Sequence, residues 1–271
     1  MSAGMTQLSA YVRGIGVLGP GFDNWPSAAS VLAGIAPYTP RATALPPPAA
    51  LPPAERRRTG GVVRLALAIN FEAVAHAGVV ASELPTVFSS SSGDGSNCHE
   101  ICMTLASGDR QLSPTRFHNS VHNAASGYWS IAASATPASS VLCAFDASFG
   151  AGLLEALTQV AVDRTQVLLT AYDTGYPSPL GVARPIPDAF GVAMILAPTA
   201  STHSAVAQIR ATLCNEPAET LSDPQLESLR TAIPAARSLP LLRKLAREEP
   251  GRVVIDYLET QRIAVEVSAW R

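Results

Sequence analysis

The strongest constraint in this sequence is a repeated unit: a short apolar run, a turn of small residues, then a stretch of helical period. Residues 84–89 (LPTVFS) run into the turn Ser90-Ser91-Ser92-Gly93-Asp94-Gly95-Ser96 and then a helical stretch over 97–106. Residues 139–144 (SSVLCA) meet a turn at Phe145-Asp146, and a small-residue helix follows over 147–162. Residues 166–171 (QVLLTA) and 191–197 (GVAMILA) are two more apolar runs of strand length. This alternation predicts an α/β fold with a parallel-rich sheet.

The flanking segments extend the pattern. Residues 10–18 (AYVRGIGVL) read as an opening strand that ends at Gly19-Pro20-Gly21, and a short helix is expected over 25–33. Residues 37–58 form a proline-rich excursion, with Pro37, Pro40, Pro46, Pro47, Pro48, Pro52 and Pro53 too dense for any regular element. Val63, Leu67, Phe71 and Val74 recur at helical spacing within 62–77, and a further helix covers about 121–134. After residue 200 come a strand over 205–213, a proline-punctuated helical stretch over 224–247, and strand-like runs at 252–257 and 262–267. Residues 201–271 therefore read as a short helix-plus-strand extension of one domain spanning 1–271.

Composition narrows the function classes. Hydrophobic residues make up 47% of the 271 and charged residues only 15%, so the chain can bury a large core and an interface besides. A net charge of −2 supplies no basic field for nucleic acid or anionic lipid. The first ten residues lack a basic start and a long apolar run, and no apolar stretch approaches a membrane span, so a soluble, cytoplasmic protein is expected. The four cysteines, Cys98, Cys102, Cys143 and Cys214, have no framework spacing and are expected to be reduced.

Three constellations could carry chemistry. Cys98-His99, Cys102, His118 and His122 contain two pairs spaced by four, as helical zinc ligands would be, but match no known finger; a buried apolar Cys98/Cys102 pair and no metal are expected. Cys143 ends a strand before a turn and a helix, where a thiol can be activated, although a cysteine in an apolar strand is usually inert. Serines and glycines at 89–95 precede a helix, as phosphate loops do, but the lysine and the glycine spacing of such loops are missing, and a tight strand-to-helix turn is the simpler reading.

The order of these elements resembles the N-terminal half of the β-ketoacyl synthases. Residues 12–19 resemble the family's opening strand, and 64–78 (RLALAINFEAVAHAG) its early helix. Residues 88–95 resemble the VGTGxGG turn. Ser113-Pro114 with 119–131 (NSVHNAASGYWSI) is similar to the SPxxxPxxxxNxxAGxIAI segment. Residues 139–155 line up with the strand, nucleophile turn and central helix, 167–172 with the next strand, and 191–196 with the GAAxLVLE strand. The likeness spans about 10–200 and implies a thiolase-like half: a ketosynthase-type sheet with flanking helices and a truncated C-terminal half.

Two departures bear on activity. Matching Val141 and Ala144 to the family's T-A-C-[SA]-[SA]-G turn puts Phe145 at the nucleophile, and phenylalanine has no nucleophilic atom. Cys143 falls two places early; a two-residue register shift would restore it. The second half of a synthase supplies two histidine motifs, and nothing after residue 200 resembles them; the one histidine there is His203. The resemblance therefore implies a non-catalytic chain-length-factor subunit, as in aryl polyene and type II polyketide systems. Such a subunit pairs with a full-length ketosynthase and meets acyl carrier protein through that complex, with no cofactor of its own. The strand at 141–144, with Val141, and the adjacent helix at 119–134, with Asn123, would face the partner. Phe117, His122, Phe145 and Phe149 would line the acyl tunnel beside Cys143. The alternative is a small acyltransferase or thioesterase using Cys143 with His118 or His122 as base.

Overall fold

The computed structural model describes residues 7–108, 110–200 and 206–269. His203 lies outside them. The chain opens with strand β1 (Leu8–Leu18) and helix α1 (Trp25–Leu32), the latter closed at its start by a reciprocal Asn24/Ser27 capping box. The proline-rich excursion then runs without a regular element as far as the short α2 (Pro53–Arg56). It is nevertheless pinned: the Arg64 side chain donates to the carbonyls of Leu45 and Pro46, and Thr43 bonds to Asp188 and Ala189.

Helix α3 (Gly61–Ala77) leads to strand β2 (Thr86–Ser89), followed by α4 (Gly95–Ala106), α5 (Pro114–His118), α6 (Ala124–Ala133) and strand β3 (Ser139–Leu142). Then come α7 (Ser148–Asp163), β4 (Val167–Asp173), α8 (Leu180–Ala183), β5 (Phe190–Ala197) and β6 (Ala207–Cys214). Helices α9 (Pro224–Ala232) and α10 (Leu239–Ala246) precede the last strands, β7 (Gly251–Ile255) and β8 (Arg262–Ala269).

The eight strands of the described residues form one mixed sheet in the order β3-β2-β4-β5-β1-β6-β8-β7. Only β3/β2 and β2/β4 pair in parallel; the other five neighbours are antiparallel. The expected parallel-rich sheet is thus corrected. Strand–helix alternation fixes the kind of element but not which strands become neighbours. Here β1 inserts in the middle of the sheet, antiparallel to both of its partners.

Helices cover both faces. On one, α3 packs across β1, β5 and β4 with α6 beside it, burying Leu65, Ile69, Phe88, Trp129, Leu168, Tyr172 and Ile195 together. Contact with β1 is close: a Cβ on Gly16 would lie 2.0 Å from the Ile69 carbonyl oxygen, so only glycine fits. On the other face α7 lies over β4, β1 and β2. Leu226, Leu239, Leu241, Leu242 and Leu245 from the C-terminal helical stretch join the same core. That stretch covers apolar sheet that would otherwise face water.

Candidate functional site

The sequence-derived candidates meet where the parallel strands β3, β2 and β4 end. The serine turn after β2 folds back on a carboxylate from β4. Asp173 accepts the Ser91 N–H at 2.9 Å and the Ser91 hydroxyl at 2.6 Å on one oxygen, and the Ala235 N–H at 2.8 Å on the other. Asp173 is 1% exposed, and burial pushes its carboxyl up to about 6 against the lowering effect of these bonds. The Ser91 amide is therefore already satisfied by the chain's own anion. The turn then closes into α4, where Asp94 accepts the Asn97 N–H at 2.9 Å.

Strand β3 stops at Leu142. Cys143 follows it, exposed, with its thiol donating to the Ser91 carbonyl at 3.0 Å. The chain then turns sharply through a 3-10 turn (Phe145–Ala147) into α7. Ser148 clasps this elbow: its hydroxyl donates to the Phe145 carbonyl at 2.7 Å and accepts the Ala144 N–H at 3.1 Å. Phe145 carries φ +51°, a left-handed conformation that is strained for a bulky residue. The other non-glycine residues with positive φ, Ser134, Arg164 and Glu248, all lie just past helix ends. Only Phe145 has this geometry ahead of a helix among the described residues. A strained residue on a strand-to-helix turn, with its side chain raised into the open, is the arrangement that presents a nucleophile in elbow enzymes. Here it presents a ring that is 60% exposed.

The remaining candidates divide. Phe117, on α5, is 67% exposed. His122 lies against the serine turn, its Cδ2 3.3 Å from where a Cβ on Gly93 would sit, and its Nε2 is buried without a partner. Asn123, exposed, starts α6 without capping it through its side chain. Val141 sits half-buried on β3, opposite Phe88 of β2. Phe149 is corrected: one residue into α7 it is 1% exposed and belongs to the core, because the helix turns it inward. Cys98 and Cys102 are also corrected, since both thiols are exposed on a helix that buries only Gly95 and Asn97. Among the described residues, no three His, Cys, Asp or Glu side chains are placed to share a metal ion.

Among the described residues, no histidine is hydrogen-bonded to Cys143, whose thiol goes to the Ser91 carbonyl. The His122 Nε2 has no hydrogen bond, and the His118 ring packs edge-on against Tyr128. The Cys143–His dyad that the small-enzyme alternative requires is not assembled.

Sequence reasoning missed Asp173, Arg184 and Arg237. A charged residue closing the otherwise apolar run of β4 was the available signal for Asp173. The two arginines meet Asp146 from 38 and 91 residues away, which no local pattern encodes. Also missed was a polar crevice of about 650 Å³ beside the serine turn, lined by Arg57, Arg58, Arg116, Asp94 and Glu100.

Two structural features agree with the sequence resemblance: the strand, elbow and long helix at 139–163, and the edge position of β3. The model of the β-ketoacyl synthase N-terminal domain matches residues 29–250. The chain belongs to this family.

Solved ketosynthase structures share its fold. It superposes on a chain of the ketosynthase ApeO in complex with its chain length factor ApeC from Xenorhabdus doucetiae with TM-score 0.73 and 22% identity, covering 96% of this chain and 99% of that one. A chain of the ishigamide ketosynthase/chain length factor gives TM-score 0.70 at 12% identity, covering 97% and 100%. The ketosynthase from module 1 of the bacillaene synthase of Bacillus amyloliquefaciens FZB42 gives 0.68 at 10% identity, with 97% of this chain covering 76% of that one. None of the curated proteins matches the chain. Among the described residues, no helix is long and apolar enough to cross a membrane.

Proposed function

We propose that this chain is a chain length factor: a non-catalytic, ketosynthase-like subunit that pairs with an active β-ketoacyl synthase and shapes its acyl channel. One observation carries the reading. The strained elbow, where a family catalyst needs its nucleophile, holds Phe145. A phenyl ring can wall a channel but cannot form a thioester. Cys143, two residues back, precedes the elbow, and among the described residues no base is hydrogen-bonded to it.

The surface around the elbow suits a partner. β3 is an edge strand, so its outer backbone groups are free to pair with another chain. Phe117, Val121, Ile131 and Phe145 are exposed large apolar side chains, and Phe145 stands in the turn that leaves β3. Exposed large apolar side chains suit an interaction face. In the two ketosynthase/chain-length-factor complexes the matched chain is as fully covered as this one, whereas the bacillaene ketosynthase is longer.

Phe117, His122 and Phe145 are assigned to the channel wall, with Asn123, Val141 and Cys143 at the subunit contact. Acyl carrier protein meets the pair through the complex, and Arg57, Arg58 and Arg116, which line the crevice together with Asp94 and Glu100, offer it basic charge. The phenyl rings of Phe117 and Phe145 suit an apolar chain, and the product class taken from the family resemblance is a polyketide or aryl polyene.

The test is co-expression with a full-length ketosynthase from the same gene neighbourhood, followed by size-exclusion chromatography with light scattering. The expected result is a stoichiometric heterodimer that extends acyl chains only when both subunits are present. A chain that ignores the synthase and is labelled at Cys143 with acyl substrate would overturn the reading.

A further inference from the structure

Phe145 is held by an arm of the chain from another part of the sequence. Residues 174–189 join β4 to β5 and carry α8; just past that helix, Arg184 reaches back over the elbow. Its guanidinium carbon sits 3.6 Å from the Phe145 ring centroid. The same group donates to one Asp146 oxygen at 2.7 Å, while Arg237 holds the other at 3.1 Å. The Arg184 and Arg237 side chains are each mostly buried, while the Asp146 carboxylate they share is partly exposed.

A ring that is 60% exposed has little packing of its own to select a rotamer. A guanidinium plane laid on its face does select one, and the Asp146 ion pair sets where that plane lies. From these contacts we propose that Arg184 is a positioning residue: it fixes the orientation of the Phe145 ring and so sets how deep an acyl chain can run past the elbow. The inference rests on the channel-shaping reading above. A lysine would not substitute, because an ammonium is a point charge with no plane to stack. Arg237 shares Asp146 without touching the ring and is the internal control.

The pair is made with Arg184→Met, Arg184→Lys or Arg237→Met, and its products are sized by mass spectrometry. Arg184→Met and Arg184→Lys are expected to shift the dominant product by one or more extension steps, or to spread it over several lengths, while heterodimer yield is kept. Arg237→Met is expected to give the wild-type distribution. An unchanged product with Arg184→Met, or the same change with Arg237→Met, overturns the inference. A second measurement needs no partner. NMR of the full chain with labelled phenylalanine should show the Phe145 ring flipping at least tenfold faster in Arg184→Met than in wild type or Arg237→Met; equal rates overturn the positioning role. A wild-type chain that fails to pair with any synthase refutes the function reading instead, and the ring-flip comparison still decides the role of Arg184.

Discussion

Replacing Phe145 by glycine should leave a more stable protein than replacing it by alanine, the reverse of what most positions give. At an ordinary position glycine is the less stable choice by about 0.5–1 kcal/mol, because its unfolded chain is freer. At φ +51° an L-residue carries about 1–2 kcal/mol of backbone strain that glycine does not. The difference favours Phe145→Gly over Phe145→Ala by about 0.5–1 kcal/mol. Both variants lose the same contact with Arg184, so it cancels. Arg164, an exposed left-handed residue closing α7, calibrates the scale, since Arg164→Gly and Arg164→Ala should differ in the same direction. The assay is equilibrium urea unfolding of all four variants, comparing midpoints at constant slope. In thermal melts the gap is about 2 °C. If the Arg164 pair orders as expected and the Phe145 pair does not, residue 145 is not at a strained elbow. The argument that it replaces the nucleophile then fails, and the two-residue register that favours Cys143 reopens.

Other consequences follow from buried charge, close packing and the apolar face. Asp173 has a folded-state pKa raised to about 6, so its contribution to stability is full below about pH 4 and is lost as pH rises through 6. The stability advantage of wild type over Asp173→Asn should shrink by about 2 kcal/mol between pH 4 and pH 7, read by chemical unfolding; a flat difference would contradict the assignment. Gly16→Ala should cost about 3 kcal/mol or more, because the new Cβ meets backbone of α3 that cannot give way. Gly127→Ala, which meets nothing within 4 Å in the middle of α6, should gain about 0.5–1 kcal/mol. Val121→Asp should leave the isolated chain's melting point unchanged, because the side chain is mostly in solvent, yet weaken pairing with the synthase about tenfold or more in a binding titration.

Much of the fold was legible because its elements announce themselves locally. Hydrophobic period and turn residues mark β2, β3, α7 and β4 to within a few residues, and the serial resemblance points to Phe145 as the elbow residue. Sheet order was not legible. The insertion of β1 between β5 and β6 depends on which apolar faces meet, and all of these runs are similarly apolar. Exposure was misjudged for the same reason at Cys98 and Cys102, where a helix with an apolar-looking stripe packs on very little. Phe149 and Phe145 are four residues apart and chemically identical, yet one fills the core and the other stands in solvent. Only the turn between β3 and α7 decides that. The Arg184–Phe145 stack and the Asp173 clasp join segments distant in sequence and required the folded chain to be seen.

The central claim is that the acyl chain is never bonded to this subunit. Intact-protein mass spectrometry of the reconstituted pair, taken during turnover with acyl carrier protein substrate, tests it directly. An acyl adduct is expected on the synthase alone, with this chain at its unmodified mass throughout. A thioester on this chain, mapped by peptide analysis to Cys143, would contradict it.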